Sequence, residues 1–182
     1  MAPSKLLQRL LLIGYRGTGK TTVATHLAKK TASHWIDIDD EIIRRAACSI
    51  RTLFEREGEV GFRKRETAAL RSVLDETCPI ISCGGGIVLR EENRQLLQSA
   101  GITILLEASP KTLAARLDLD HRTGLQRPPL TDLSPQEEIA TILADRMALY
   151  RQCANIIVDT ETKTAEQVAE EIMARLQQQR QQ

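Results

Sequence analysis

Short runs of aliphatic residues alternate along the chain with longer segments in which apolar residues recur at helical spacing. The runs are so densely aliphatic that they suit strands covered on both faces, and their alternation with helices is typical of βαβ units around a parallel sheet. Five strands are predicted, at Leu10–Ile13, Trp35–Ile38, Pro79–Ser82, Ile102–Leu106 and Asn155–Val158. The pattern therefore predicts a three-layer α/β/α fold with a five-stranded parallel sheet.

Several of the intervening helices have recognisable starting residues. Ser109-Pro110 places a capping hydroxyl before a proline at the first helical position, and Ser134–Glu137 and Thr164–Gln167 each have the residues of a reciprocal capping box. The last helix carries one apolar stripe, formed by Ala165, Val168, Ala169, Ile172 and Leu176. That stripe predicts packing on the core rather than a site.

The first predicted strand runs into the eight residues GYRGTGKT, and the helical segment VATHLAKK follows them. This is the phosphate-loop pattern, in the strand-to-helix context that it requires. Gly14, Gly17 and Gly19 allow a tight turn that points backbone N–H groups at an anion. Lys20 supplies a positive charge for the outer phosphates, and the hydroxyl of Thr21 suits Mg²⁺. We therefore expect the chain to bind a nucleoside triphosphate together with Mg²⁺.

Length and composition limit the class of protein to which the phosphate loop can belong. The 182 residues fit one domain, and a net charge of +1 gives no reason to expect nucleic acid or a membrane as partner. The N-terminal apolar run is too short for a signal peptide or a membrane span, so we expect a cytoplasmic protein. From the small size of the chain we expect a monomer. Cys48, Cys78, Cys83 and Cys153 lack metal-type spacing and are expected to be reduced and mostly buried.

Acidic residues lie at the end of the second predicted strand, at the edge of the sheet where ligands of open parallel sheets bind. Strand alternation would place Asp37 and Asp39 on the same side, facing the phosphate loop. A carboxylate there can hold a water on Mg²⁺ or accept a proton from an attacking hydroxyl. The alternative is that Asp39 or Asp40 caps the helix that follows.

The third predicted strand ends at Ser82, and three consecutive glycines, residues 84–86, come soon after it, where many phosphate-loop proteins have an acidic metal ligand. The Ser82 hydroxyl would lie near the expected Mg²⁺ position. A triple glycine lets a small ligand lie against backbone amides, and a plain tight turn is the alternative.

Two arginines are candidates for binding an anionic acceptor. Arg63 follows Phe62 in GEVGFRKRE, and Arg146 lies in the helical segment DRMALYR. A guanidinium fork matches a carboxylate bidentately, so two of them around a cavity would select an anionic small molecule. Taken singly, an arginine on a helix is more commonly a solvated charge.

Residues 118–134 are polar, contain Gly and Pro, and carry Arg122 and Arg127. This composition is typical of a mobile lid, and an ordinary surface loop is the alternative. Phosphoryl transfer needs exclusion of water and stabilisation of negative charge, and an arginine delivered by a closing lid can do both.

Over nearly its whole length the chain resembles the shikimate kinases. The resemblance rests on GYRGTGKT at 14–21, DID at 37–39, GEVGFRKRE at 58–66, SCGGG at 82–86, RTGLQRPPL at 122–130, RMALYR at 146–151 and IIVDTETKT at 156–164, in the order and spacing of that family. It implies the P-loop NTPase fold of nucleoside monophosphate kinase type with a mobile lid. It also implies a single domain, 1–182, with a substrate-binding region at about 37–65 and the lid at about 118–134.

The resemblance assigns roles to individual residues. ATP would be bound by Gly17, Thr18, Gly19, Lys20, Thr21, Thr22, Arg122, Arg127 and Thr160. Shikimate would be bound by Asp39, Phe62, Arg63, Gly84, Gly85, Gly86 and Arg146. Mg²⁺ would be held by Thr21, Asp37 and Ser82, and the catalytic residues would be Lys20, Asp39 and Arg127. In the lid, Pro129 stands where the family usually has leucine and the two arginines are closer together, which affects the contacts of Arg122 most.

The implied reaction transfers the γ-phosphoryl group of ATP to the 3-hydroxyl of shikimate, a step of chorismate and aromatic amino acid biosynthesis. One alternative is another P-loop small-molecule kinase, of gluconate or nucleoside monophosphate type, although the Asp-Gly-x-Pro-Arg segment usual in the latter is absent. The other is a nucleotide-binding regulatory module without catalysis. The presence of Lys20, Thr21, Asp39 and Arg127 argues against that module.

Overall fold

The computed structural model describes residues 8–119 and 134–179. Within these ranges five strands form one sheet in the order β2-β3-β1-β4-β5, and every neighbouring pair is parallel. The strands are β1 (Leu10–Ile13), β2 (Trp35–Asp37), β3 (Ile80–Ser82), β4 (Ile102–Glu107) and β5 (Ile156–Asp159). The predicted five-stranded parallel sheet is confirmed, with every boundary within one residue of its expected place.

Helices connect the strands and pack on both faces of the sheet. They are α1 (Lys20–Thr31), α2 (Ile38–Ala46), α3 (Ile50–Asp75), α4 (Glu91–Ala100), α5 (Pro110–Leu119), α6 (Pro135–Cys153) and α7 (Ala165–Gln179), with a short 3₁₀ turn at Ile87–Leu89. The predicted capping boxes at Ser134 and Thr164 are both formed. In the part of the chain that the structure describes, no helix is long and apolar enough to cross a membrane.

The core lies in two layers, one on each face of the sheet. Alternate residues of β1 point to opposite layers, so that Leu11 and Ile13 pack with α2, α3, α4 and α6, whereas Leu10 and Leu12 pack with α1 and α7. The predicted apolar stripe of α7 belongs to the second layer. The three-layer α/β/α architecture is therefore confirmed.

α3 is broken about a third of the way along its length. Gly58 has φ 65° and ψ −175°, and two helical stretches meet at this residue. A positive φ is costly for residues with a Cβ, which accounts for glycine here. The break separates the first turns of α3 from the stretch that carries Phe62 and Arg63 to the edge of the sheet.

The cysteines behave as expected from their spacing. Cys78, Cys83 and Cys153 are buried, Cys48 is half-buried, and all four are free thiols. Burial is the main cause that raises the pKa of Cys83 above its ordinary value, and the nearby carboxylates add to it. The thiol therefore stays protonated, which agrees with a packing role.

Candidate active site

The phosphate loop joins β1 to α1 at the carboxyl edge of the sheet. Gly14, Gly17 and Gly19 all have positive φ, at 137°, 81° and 89°, so the loop turns as the glycine pattern predicted. The ammonium group of Lys20 lies within the loop, where Nζ donates hydrogen bonds of 2.8 Å to the carbonyl oxygens of Gly14 and Tyr15. The loop thus holds a cation among turned backbone groups, as a phosphate site requires.

The three residues predicted to hold the metal lie together. Oδ2 of Asp37 accepts hydrogen bonds from the hydroxyl groups of Thr21, at 3.0 Å, and Ser82, at 2.8 Å. Oxygen atoms of this kind are the ligands that Mg²⁺ prefers, so the set fits the ion. The described residues contain no cluster of three or more His, Cys, Asp or Glu able to hold a metal. A Mg²⁺ ion here would therefore take further ligands from water and phosphate.

Asp39 does not follow the strand alternation that the sequence suggested. β2 ends at Asp37, which is extended at φ −98° and ψ 127°, and its Oδ1 accepts a 2.9 Å hydrogen bond from the backbone N–H of Asp39. Asp37 is therefore the cap of α2. The alternation argument for Asp39 was wrong, and so was the alternative in which Asp39 or Asp40 caps this helix. The physical reason is that the Asp37 side chain satisfies a free N–H of the first helical turn, so the helix begins at Ile38.

The triple glycine makes room for charged side chains. A Cβ atom on Gly84 would lie 2.8 Å from Oδ1 of Asp39 and 3.0 Å from Oε1 of Glu66. A Cβ atom on Gly86 would overlap the guanidinium group of Arg63. Larger residues would thus displace functional groups at two of the three positions, which a plain tight turn does not explain.

Arg63 is held by carboxylates on its own helix. Its side chain is only 11% exposed, and it forms ion pairs with Glu66 at 2.9 Å and Glu59 at 3.1 Å. Burial by itself would lower the pKa of Arg63, but these carboxylates outweigh it and raise the pKa above its ordinary value. The guanidinium group therefore stays charged. The sequence did not single out Glu66, which is fully buried; its spacing of three residues from Arg63 on one helix is the signal that could have found it.

Phe62 lies in the core rather than at the surface of the site. Its side chain is fully buried and stacks on Phe54, with 4.6 Å between ring centroids. The guanidinium carbon of Arg63 lies 5.3 Å from the Phe62 ring centroid. This places the ring where it supports Arg63. A direct contact between Phe62 and substrate stays a prediction.

Arg146 reaches the same turn from α6. Its Nη1 donates a 3.3 Å hydrogen bond to the carbonyl oxygen of Gly85, and the hydroxyl of Tyr150 donates to that oxygen as well. Burial raises the pKa of Tyr150 to about 12, so its hydroxyl remains a donor. Arg63 and Arg146 thus lie beside adjacent glycines of one turn. Their binding of a carboxylate stays a prediction. Tyr150 belongs to the segment RMALYR on which the family resemblance rests, but it was not among the predicted site residues. Its spacing of four residues from Arg146 indicates a shared helix face.

Thr160, predicted to lie near the nucleotide, is joined to the phosphate loop by Arg116. Nη1 of Arg116 donates to Oγ1 of Thr160 at 3.0 Å and to the carbonyl oxygen of Gly17 at 3.4 Å. Arg116 was not predicted, because 44 residues separate it from Thr160 along the chain. The geometry makes it a candidate for the nucleotide side of the site.

Of the remaining residues predicted to bind the nucleotide, Thr18 and Thr22 are described by the structure and the two lid arginines are not. Thr18 is buried, with its hydroxyl 2.8 Å from the carbonyl oxygen of Tyr15, and Thr22 is exposed in the first turn of α1. Arg122 and Arg127, with most of the predicted lid, lie outside the described residues.

A second contact that the sequence did not reveal ties the phosphate loop to α6. Nη2 of Arg16 forms a 3.2 Å ion pair with Glu138, which is 4% exposed. The neighbouring side chain of Tyr15 packs with residues of α5 and α6, including Leu113 and Ile139. α6 is therefore held by the phosphate loop near its start and by Gly85 further along.

Comparison with known proteins decides the family to which this site belongs. The family model described as shikimate kinase matches residues 16–177. The chain belongs to the shikimate kinase family. It is 41% identical over 166 residues to the shikimate kinase of Rhodopirellula baltica, covering 91% of this chain and 89% of that one. It is 43% identical over 175 residues to shikimate kinase 2 of Escherichia fergusonii, covering 95% and 94%.

A solved member of the family has the same fold. The shikimate kinase from Acinetobacter baumannii in complex with shikimate superposes with a TM-score of 0.89, at 32% identity and with 96% of each chain covered. The family resemblance and the P-loop NTPase fold read from the sequence are thereby confirmed. The alternatives of a gluconate-type kinase and a regulatory module are not favoured.

Proposed function

We propose that this chain transfers the γ-phosphoryl group of ATP to the 3-hydroxyl of shikimate, giving shikimate 3-phosphate and ADP. The observation that carries the proposal is the turn at Gly84–Gly86 beside the phosphate loop, where Asp39, Arg63 and Arg146 each lie against a different glycine. A Cβ on Gly85 would lie only 3.4 Å from the backbone nitrogen of Arg16, so the two parts of the site are in contact. This arrangement supports a two-substrate site.

The nucleotide half would be built on the phosphate loop. The loop N–H groups and Lys20 bind the phosphates, and Arg127 stabilises the charge that develops during transfer. Thr160 borders the base, with Arg116 beside it. Mg²⁺, the proposed cofactor, would be held by Thr21, Asp37 and Ser82, partly through water, and would neutralise phosphate charge when bound.

The acceptor half would be built on the triple glycine. Arg63 and Arg146 bind the carboxylate of shikimate, and Asp39 orients the hydroxyl that attacks. Asp39 also accepts the proton of that hydroxyl. Because the transition state of phosphoryl transfer is loose and makes little demand on a strong base, positioning is the larger contribution of Asp39.

We also propose the domain organisation, oligomeric state, location and partners of the chain. The chain acts as a single domain and a monomer, in the cytoplasm, without nucleic acid or membrane partners. Its near-neutral net charge of +1 supports the lack of a polyanionic partner. The reaction would serve aromatic amino acid biosynthesis.

A coupled ADP-release assay tests the proposal against its rivals. Shikimate, gluconate and a set of nucleoside monophosphates are each offered with MgATP. Of these acceptors, we expect only shikimate to cause ADP release. A Lys20→Met variant, which keeps the length of the side chain but not its charge, should release no ADP. Comparable turnover of gluconate, or no ADP above background with any acceptor, would refute the proposal.

A further inference from the structure

Arg63 pairs with two acidic residues, Glu59 and Glu66, to which the proposed function assigns no role. Its Nε and Nη2 atoms donate to Oε1 of Glu59 at 3.2 and 3.1 Å, and its Nη1 atom donates to Oε2 of Glu66 at 2.9 Å. The Nη atoms also face Gly86. The hydrogen-bonding edges of the guanidinium group are thus in contact with the protein, including those at which an incoming carboxylate would pair.

The two carboxylates differ in the cost of leaving Arg63. Glu66 is fully buried, and separating a buried carboxylate from its cation is strongly unfavourable. The side chain of Glu59 is 54% exposed, so water solvates its carboxylate as it leaves. Glu59 is therefore the partner that an incoming carboxylate can replace.

The backbone offers Glu59 a second favourable position. Glu59 directly follows the break at Gly58, so it is the first residue of the helical stretch that carries Arg63. N–H groups in the first turn of a helix lack intrahelical acceptors, and the helix dipole favours negative charge there. A carboxylate displaced from Arg63 would remain beside this positive end, which lowers the cost of exchange.

We propose that Glu59 is a displaceable internal competitor for the acceptor's carboxylate, and that it thereby sets the affinity for the acceptor. The proposal rests on the proposed function, in which Arg63 binds that carboxylate. Arg63 is paired in both states, with Glu59 before the acceptor binds and with the acceptor afterwards, while Glu66 holds it throughout.

Isothermal titration calorimetry, with shikimate added to nucleotide-free protein, tests whether the acceptor's carboxylate replaces Glu59 at Arg63. The test uses a matched pair of variants. Glu59→Gln removes the competing charge, and we expect its Kd for shikimate to fall about two- to fivefold, the size typical of an exposed ion pair. Glu57→Gln removes the same charge on the other side of the break, where Glu57 pairs with Arg65 at 2.6 Å. Its Kd should equal that of the wild type. The KM for ATP should be unchanged in both variants.

Each other result counts against the inference. If Glu59→Gln binds shikimate with the same Kd as the wild type, Glu59 does not compete with the acceptor. If the variant binds shikimate more weakly, Glu59 positions Arg63 instead. Equal tightening in both variants would indicate a general effect of charge. If the wild type turns over shikimate but Glu59→Gln does not bind it more tightly, only this inference fails. If the wild type binds no shikimate, the proposed function fails and the inference with it.

Discussion

Oδ2 of Asp37 accepts hydrogen bonds from both Thr21, at 3.0 Å, and Ser82, at 2.8 Å. One carboxylate oxygen therefore joins the start of α1 to the ends of β2 and β3. The same side chain caps α2 through its other oxygen. Asp37 thus fixes the place where the phosphate loop meets the proposed metal site.

The first prediction follows from that double role. Asparagine caps helices as well as aspartate does, so Asp37→Asn should remove the charge while leaving the melting temperature nearly unchanged. We expect kcat/KM at limiting Mg²⁺ to fall by about tenfold or more, because the metal loses an anionic partner. Initial rates measured across a Mg²⁺ series check this. A Mg²⁺ dependence identical to the wild type would exclude Asp37 from the metal site.

Asp39 is the residue that we expect to orient the attacking hydroxyl. Asp39→Asn should lower kcat by more than about tenfold and leave the Kd for ATP nearly intact, because the residue lies at Gly84 rather than on the phosphate loop. Steady-state kinetics and nucleotide titration measure the two quantities. Unchanged turnover in this variant would refute the assignment.

Arg146 is expected to act on the acceptor alone. Arg146→Ala should raise the KM for shikimate by about 10- to 100-fold, the range for a lost hydrogen bond to a charged group, with little change in the KM for ATP. Arg151→Ala is the matched control, because Arg151 is exposed on the same helix and pairs with Glu107. A parallel rise of both KM values in Arg146→Ala would indicate a disturbed fold instead.

Glu41 gives a pH-dependent prediction outside the site. Hydrogen bonds from Arg44, opposed by burial and reinforced by Arg45, lower the pKa of Glu41 to about 2. Because the folded pKa lies below the unfolded one, the stabilisation is complete above about pH 4.5 and is lost as the pH falls towards 2. Glu41→Gln should lower the free energy of unfolding by about 1–2 kcal/mol at neutral pH.

Urea unfolding at several pH values checks the Glu41 prediction. The difference between wild type and Glu41→Gln should be constant near neutrality and shrink as the pH is lowered below about 4.5. A difference that does not change with pH would mean that the ion pairs with Arg44 and Arg45 contribute nothing measurable.

The sequence predicted the sheet and the phosphate loop because both depend on local patterns, namely aliphatic runs and glycine spacing. It misplaced Asp39, because two processes compete at Asp37: continuing the strand and capping a helix. It missed the pairing of Arg16 with Glu138, which are 122 residues apart, because the folded chain alone brings them together. The triple glycine was noticed, but the side chains that need its space were visible only in the fold.

The most direct test of the account is the identity of the product. Phosphorus and proton NMR of the reaction with MgATP and shikimate show which oxygen carries the transferred group. The proposed function predicts ADP and shikimate phosphorylated at the 3-hydroxyl, in equal amounts. ADP accompanied by free phosphate, or phosphate on a different hydroxyl of shikimate, would contradict it.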